Sequence, residues 1–316
     1  MPRFKNRNTR YSIRGRQSKY APKRKYGGVR RTKRTYRRPL SKKRMLNLMS
    51  KKKRDTYLSA ANSGNNPSPE GPVIRGNPIS IKPTTQNQGF MPNFHAFVYS
   101  PSFRFLSANP GQYIAARTAT KPYYVGLKET YTFYPNDNSL WFWRRIVFTS
   151  KRQYANEISA TAASQTGVES TVGATTQRPF RDISGDASTV NYGNLYTKLV
   201  EDLFEGIYGT DWVDPIRAKI DKSRVTRLSD TRRQLSSHND IAKPCHIKTY
   251  TSMKKTLVYA DEENGSTMSV SPFSVTSKSG MGNIYVMDFF NCPVPVSVDS
   301  TFIRIGSEST LYWHEK

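Results

Sequence analysis

Cations and phenol rings alternate through the first 40 residues: Arg3, Lys5, Arg7, Arg10, Arg14, Arg16, Lys19, Lys23, Arg24, Lys25, Arg30, Arg31, Lys33, Arg34, Arg37 and Arg38, with Tyr11, Tyr20, Tyr26 and Tyr36 between them. Guanidinium and ammonium groups neutralise phosphates without reading bases, and tyrosine rings on a flexible chain stack on unpaired bases. These residue types therefore suit single-strand nucleic-acid binding better than base-edge readout of a duplex. Such binding would be steeply salt-dependent, with a slope of about −0.7 per phosphate contact.

The charge distribution sharpens this. No Asp or Glu precedes Asp55, whereas 23 of the 50 Lys and Arg do; the remaining 27 face 23 acids, so that part carries only +4 of the formal +27. The chain is a near-neutral body with a polycationic arm. Self-repulsion and scarce apolar surface predict that the arm is disordered alone and that its partner is a polyanion. A second motif closes the arm: Lys42, Lys43 and Arg44, then Met45, Leu46, Leu48 and Met49, then Lys51, Lys52, Lys53 and Arg54. Two basic clusters at that spacing suit a bipartite nuclear import signal. The same residues also suit a short amphipathic helix capped by Ser41.

Motifs of catalysis and metal binding are mostly missing. No G-x-x-x-x-G-K-[ST], H-E-x-x-H or G-x-S-x-G occurs, and no two histidines flank a single residue. Cys245 and His246 are neighbours and would point to opposite faces of a strand, so with His238 and Cys292 they predict no zinc site. Asp182, Asp186, Asp211 and the run Asp261–Glu263 lie in separate loops, without the partners a nuclease needs. The expectation is a protein that is not an enzyme and holds no cofactor or metal. Two cysteines form no disulfide framework and fit a reducing compartment. No apolar stretch follows the basic start and no 18 apolar residues run together, so neither a secretory signal nor a membrane span is predicted.

The elements that must carry these groups read as β. Residues 59–88 are dense in Asn, Ser, Pro, Gly and Thr and read as a linker in which 79–81 could add an edge strand. Candidate strands follow at 94–99, 124–133, 140–149, 219–228, 246–252, 256–260, 283–290, 301–305 and 310–314, and Asn264–Gly265 marks a hairpin tip. One helix is predicted from Leu195, Leu199, Leu203 and Ile207 at fourfold spacing, with Gly206 and Gly209 to end it. The pattern predicts an all-β fold: a single jelly roll, that is, an eight-stranded antiparallel sandwich with long loops and one short helix, with another β-sandwich as the runner-up because strand order is not written in the sequence. The domain reading is an arm at 1–54, a linker at 55–90 and a jelly-roll domain at 91–316.

Within the body, WFWRRIVF stands out. On a strand, Trp141, Trp143 and Arg145 share one face, and Phe142, Arg144 and Ile146 the other. Trp141, Trp143, Arg144 and Arg145 are therefore candidates for contact with another subunit or with stacked bases. The alternative is a core strand whose arginines reach solvent or an acidic partner.

Six segments in order, SKKRMLNLMSKKKRDT, WFWRRIVFTS, GTDWVDPIRAKIDKSRV, KTLVYADEENG, GMGNIYVMDFF and STLYWHEK, resemble the capsid proteins of genomoviruses (gemycircularvirus type). The hairpin departs by one residue, Ala260, where an acid is expected. The resemblance implies the coat protein of a small virus with circular single-stranded DNA. It implies a jelly-roll body closing into a T=1 icosahedral shell of about 60 copies, arms turned inward onto the genome, and a host nuclear import receptor as transient partner. The implied locations are the virion and, during assembly, the host nucleus. A cellular RNA-binding or ribosomal-type protein with a basic extension is the alternative, although such proteins usually keep basic patches in the body.

Overall fold

The computed structural model describes residues 41–61, 74–75, 79–83, 94–107, 115–154, 171–172, 175–184, 190–236, 243–295, 297 and 299–316. Its internal contacts divide the chain into two units, residues 1–45 and 46–316, and the second contains the sandwich. Helix α1 spans Lys42–Met49. Ser41 caps it as the sequence suggested, its Oγ accepting from the Arg44 amide at 3.3 Å.

Eight strands make the body: β1 Lys51–Ala61, β2 Phe94–Tyr99, β3 Tyr123–Pro135, β4 Trp141–Ser150, β5 Thr226–Leu235, β6 Cys245–Thr256, β7 Asn283–Asn291 and β8 Ile303–Glu315. They form two antiparallel sheets, one ordered β6-β3-β8-β1 and the other β5-β4-β7-β2. Strand 1 lies beside 8, 2 beside 7, 3 beside 6 and 4 beside 5. That is one long hairpin rolled up across two sheets, the jelly roll. Short strands extend the first sheet: Ile79–Ile81 pairs with β8, Ile74–Arg75 pairs antiparallel with β1, and Arg178–Phe180 pairs parallel with β1. The acidic hairpin forms as expected, Glu262–Asn264 against Thr267–Ser269, turning at Gly265 with φ 61°.

Helix α2, Val190–Leu203, and the loop after it cover the outward side of the second sheet. Leu195, Leu199, Leu203, Phe204, Trp212, Ile216 and Ile220 pack there on Phe94, Ile146, Phe148, Met287 and Phe289. Ile207, expected to continue the helix stripe, lies beyond its end and is exposed. Gly206 turns the chain at φ 87°, where a Cβ would sit 2.6 Å from that of Asp211.

Four expectations are corrected. The run 51–61 is a strand, not the end of an arm plus the start of a linker, so the jelly roll begins 40 residues before the expected 91. Its inward positions are Lys53, Asp55, Tyr57 and Ser59, so the apolar alternation that marks a half-buried strand is absent. The strand expected at 219–228 is β5 at Thr226–Leu235; Ala218 and Ile220 imitate strand alternation but belong, with Val225, to the loop packed on α2. Residues 301–305 and 310–314 fuse into β8, because Ser307 and Ser309 turn inward as part of the same alternation. The segment 256–260 forms no strand beyond the end of β6, only a bridge from Tyr259 to Ser274.

An ionic layer lies between the sheets. Glu129 on β3 accepts from Tyr99 Oη at 2.6 Å and Arg178 at 2.8 Å and also pairs with Arg145. Asp288 on β7 accepts from Trp143 Nε1 at 2.8 Å and pairs with Arg178. Two arginines and two carboxylates make a neutral, hydrogen-bonded set, the condition under which buried charge is tolerated. Burial pulls the Arg145 pKa down to about 10, which leaves it charged at neutral pH. Cys245 and Cys292 are free thiols, and burial pushes that of Cys292 up to about 12.

Candidate nucleic-acid interface

The outward side of the first sheet is built by strand alternation. On β3 the inward residues Leu127, Glu129, Tyr131 and Phe133 are fully buried, so Gly126, Lys128, Thr130, Thr132 and Tyr134 face out. The same rule turns out Lys52, Arg54, Thr56 and Leu58 on β1, Arg304, Glu308, Thr310, Tyr312 and His314 on β8, and His246, Lys248, Tyr250 and Ser252 on β6. Register sets them in rows across the sheet. Ser252, Gly126, Tyr312 and Arg54 form one row, and Tyr250, Lys128, Thr310 and Thr56 the next.

At these positions Lys52, Arg54, Lys128, Lys248 and Arg304 face a single carboxylate, Glu308, and none of the five cations makes an ion pair within the described residues. The hydroxyl end of the Tyr250 side chain sits over Gly126, where any Cβ would come within 2.6 Å of Tyr250 Cζ. That glycine makes room for the ring. Tyr250 stays 56% exposed. Tyr250, Tyr312, Lys52, Lys128 and His314 line a shallow cleft of about 400 Å³ on this side. Burial and the charge of Lys52 lower the His314 pKa, so its ring is neutral at pH 7. A larger cleft of about 880 Å³ at the Lys254 end of β6 is also basic, but most of its cations are engaged. Arg152 pairs with Asp202 at 3.0 Å, Arg224 donates to the Glu201 carbonyl at 2.6 Å, and Lys151 to that of Val275 at 3.3 Å.

No protein-family model matches the chain, and no curated protein does. Among solved structures, VP1 of Trichodysplasia spinulosa-associated polyomavirus in complex with 3'-sialyllactose aligns over 84% of this chain and 93% of its own, at 10% identity and a TM-score of 0.14. The same VP1 alone aligns over 84% and 94%, at 8% identity and a TM-score of 0.13. Similarity at that level carries no argument; the jelly roll rests on strand order and pairing.

The sequence candidates fall into three groups. Arg3 to Arg38 and their tyrosines lie outside the described residues. Of the import clusters, Lys42, Lys43 and Arg44 are on α1, while Lys51 to Arg54 are the first residues of β1, paired with Glu315 to Tyr312. Lys53 is buried, bonded to Glu315 at 2.7 Å, Thr118 Oγ1 at 2.7 Å and the Ala116 carbonyl at 2.7 Å. The second cluster is thus not a free basic peptide in the folded body, because its backbone is committed to the sheet and its third lysine to a carboxylate.

The third group corrects the expected subunit or DNA contact. Trp141, Trp143, Arg144 and Arg145 are all fully buried inside the chain. Trp141 and Trp143 enter the core between the sheets and Arg145 the ionic layer. Arg144 faces the other way, under the α2 layer, chelating Asp230 at 3.0 and 2.9 Å and donating to the carbonyls of Pro215 and Ala218 at 2.7 Å each. The two-face reading of the strand holds, and the alternative of arginines reaching acidic partners is what the chain adopts.

Three of the loop acids, Asp182, Asp211 and Asp261, are likewise spent on structure, whereas Glu262 and Glu263 are exposed on the hairpin and Asp186 lies outside the described residues. Asp182 bonds His95 Nδ1 at 2.5 Å, Asp211 accepts from the Ile207 amide at 2.7 Å, and Asp261 holds Arg117 at 2.6 and 3.1 Å. Burial opposes ionisation of Asp261, but the Arg117 fork and the Ser271 amide hold its pKa below the ordinary carboxylate range. Among the described residues no three of His, Cys, Asp and Glu converge on a metal position. None of their helices is long and apolar enough to cross a membrane. Sequence reading missed Lys128, Lys248, Tyr250, Arg304 and Tyr312. The signal was there in the alternation His246, Lys248, Tyr250, Ser252, where every second residue of a strand is polar or aromatic.

Proposed function

We propose that the chain is the coat protein of a small virus with a circular single-stranded DNA genome, of the genomovirus kind, with no catalytic role. The observation that carries this is the join at residue 51, where an acid-free basic segment runs directly into the first strand of a jelly roll. A near-neutral body suits self-association, since copies with little net charge repel weakly, and closed symmetry satisfies every contact surface. Arms from many subunits concentrate positive charge on one side of the shell, and genome phosphates offset the repulsion that would oppose closure. The six ordered sequence resemblances support a T=1 shell and assembly in the host nucleus. On this reading the import signal is drawn from the arm and from Lys42, Lys43 and Arg44 rather than from Lys53.

Deleting residues 1–40 tests the division of labour. The truncated protein is expected to fold with an unchanged thermal midpoint and to package no DNA. A truncated protein that unfolds, or that packages DNA normally, contradicts the proposal.

A further inference from the structure

We infer that the outward side of the first sheet is a second nucleic-acid surface, separate from the arm, with the Tyr250–Tyr312 cleft receiving unpaired bases. The inference deepens the coat-protein reading, in which only the arm holds the genome.

Charge is the first argument. Lys52, Arg54, Lys128, Lys248 and Arg304 are spread over all four strands, against Glu308 alone. The buried cations of the body, by contrast, are drawn into pairs such as Lys53 with Glu315, Arg104 with Asp55, Arg117 with Asp261, Arg144 with Asp230 and Arg178 with Asp288. Among the described residues this side sets five cations across one sheet without an ion pair, and a polyanion is a partner that satisfies such an array.

Ring placement decides which polyanion. The end of the Tyr250 side chain sits over Gly126 while the residue stays exposed and directly opposite Lys128, and Tyr312 is paired in register with the same glycine and with Arg54. A flat ring flanked by cations offers a stacking surface to one base while phosphates on either side meet Lys128 and Arg54. Bases locked in a duplex cannot use it, and a sulfated polysaccharide has no flat ring to stack. The sheet fixes this spacing in advance, which lowers the ordering cost of binding.

The test uses the full-length protein and a short bromodeoxyuridine-containing oligodeoxynucleotide, irradiated and mapped by mass spectrometry. Cross-links are expected on the peptide carrying Tyr250 as well as in residues 1–40. Tyr250→Ala is expected to remove the former and to weaken single-strand binding about tenfold, with duplex binding changed less than about twofold. Tyr250→Phe, which keeps the ring, should retain both. Lys128→Gln with Lys248→Gln should lower the salt slope by roughly 1.4.

Cross-links confined to residues 1–40, with Tyr250→Ala binding like the parent, overturn the inference. So does a Lys128→Gln, Lys248→Gln protein that loses heparin binding but keeps its single-strand affinity, or one that fails only in self-association. The parent cross-link map decides the matter even if a variant misfolds. A protein that cross-links through Tyr250 but never closes into shells keeps this inference and ends the coat-protein reading. Filled shells without the Tyr250 cross-link do the reverse.

Discussion

On the second sheet the outward residues Phe142, Ile146 and Phe148 lie beneath α2 and the loop after it, and even Arg144 is sealed there by Asp230 and two carbonyls. On the first sheet the same alternation turns out Lys128, Lys248, Tyr250 and Tyr312, of which the first three are exposed. Both sheets share one interior, yet one outer side is a second core and the other a charged surface. The contrast shows that an arginine's position in the sequence says little about its use. Arg144 and Arg54 each point outward from a strand, but of the two only Arg54 is exposed and has no ion pair among the described residues.

The contrast breaks most visibly through matched substitutions. Arg144→Ala leaves Asp230 and the carbonyls of Pro215 and Ala218 without their donor in a buried site, and is expected to cost about 3–5 kcal/mol in urea unfolding. Lys128→Ala, also outward on its sheet, should cost less than about 0.5 kcal/mol. Equal losses would mean that the first sheet's outer side is also structural.

Apolar truncation sharpens the same point. Leu199→Ala opens a cavity between α2 and the second sheet and should cost about 2–5 kcal/mol. Tyr250→Ala removes a ring that is more than half exposed, so its unfolding midpoint should stay near that of the parent while its nucleic-acid binding changes.

A smaller effect comes from acid. Burial opposes ionisation of Glu315, but bonds from Lys53, Thr118 and Trp313 hold its folded pKa below the ordinary value. Such a group adds stability that is fully present above its unfolded pKa, about 4.3, and is lost as pH falls through the lowered folded value. Asp261 acts in the same direction. Unfolding free energy measured against pH should therefore decline below about pH 4.3, and Glu315→Gln should make that decline shallower. An unchanged slope in Glu315→Gln would remove the β1–β8 ion pair from the account.

How much of this was legible differs by region. Aromatic and β-branched runs such as WFWRRIVF and NIYVMDFF declare strands by themselves, and the fourfold Leu spacing declares α2, because apolar burial writes a period into the sequence. β1 was hidden, since its inward residues are a lysine, an aspartate, a tyrosine and a serine whose partners, Glu315 and Arg104, lie far along the chain. The destinations of Arg144 and Arg145 were hidden for the same reason: Asp230 is 86 residues from Arg144, and nothing local marks the pair. Alternation made the outward positions of β6 readable in principle. Their role depends on which side of the sandwich carries α2, and only the assembled topology supplies that.

The measurement that bears most directly on the central claim is electron microscopy with light scattering on the purified full-length protein, with and without circular single-stranded DNA. The account predicts closed shells of one size, promoted by the DNA. A protein that binds nucleic acid but stays monomeric under both conditions would contradict it.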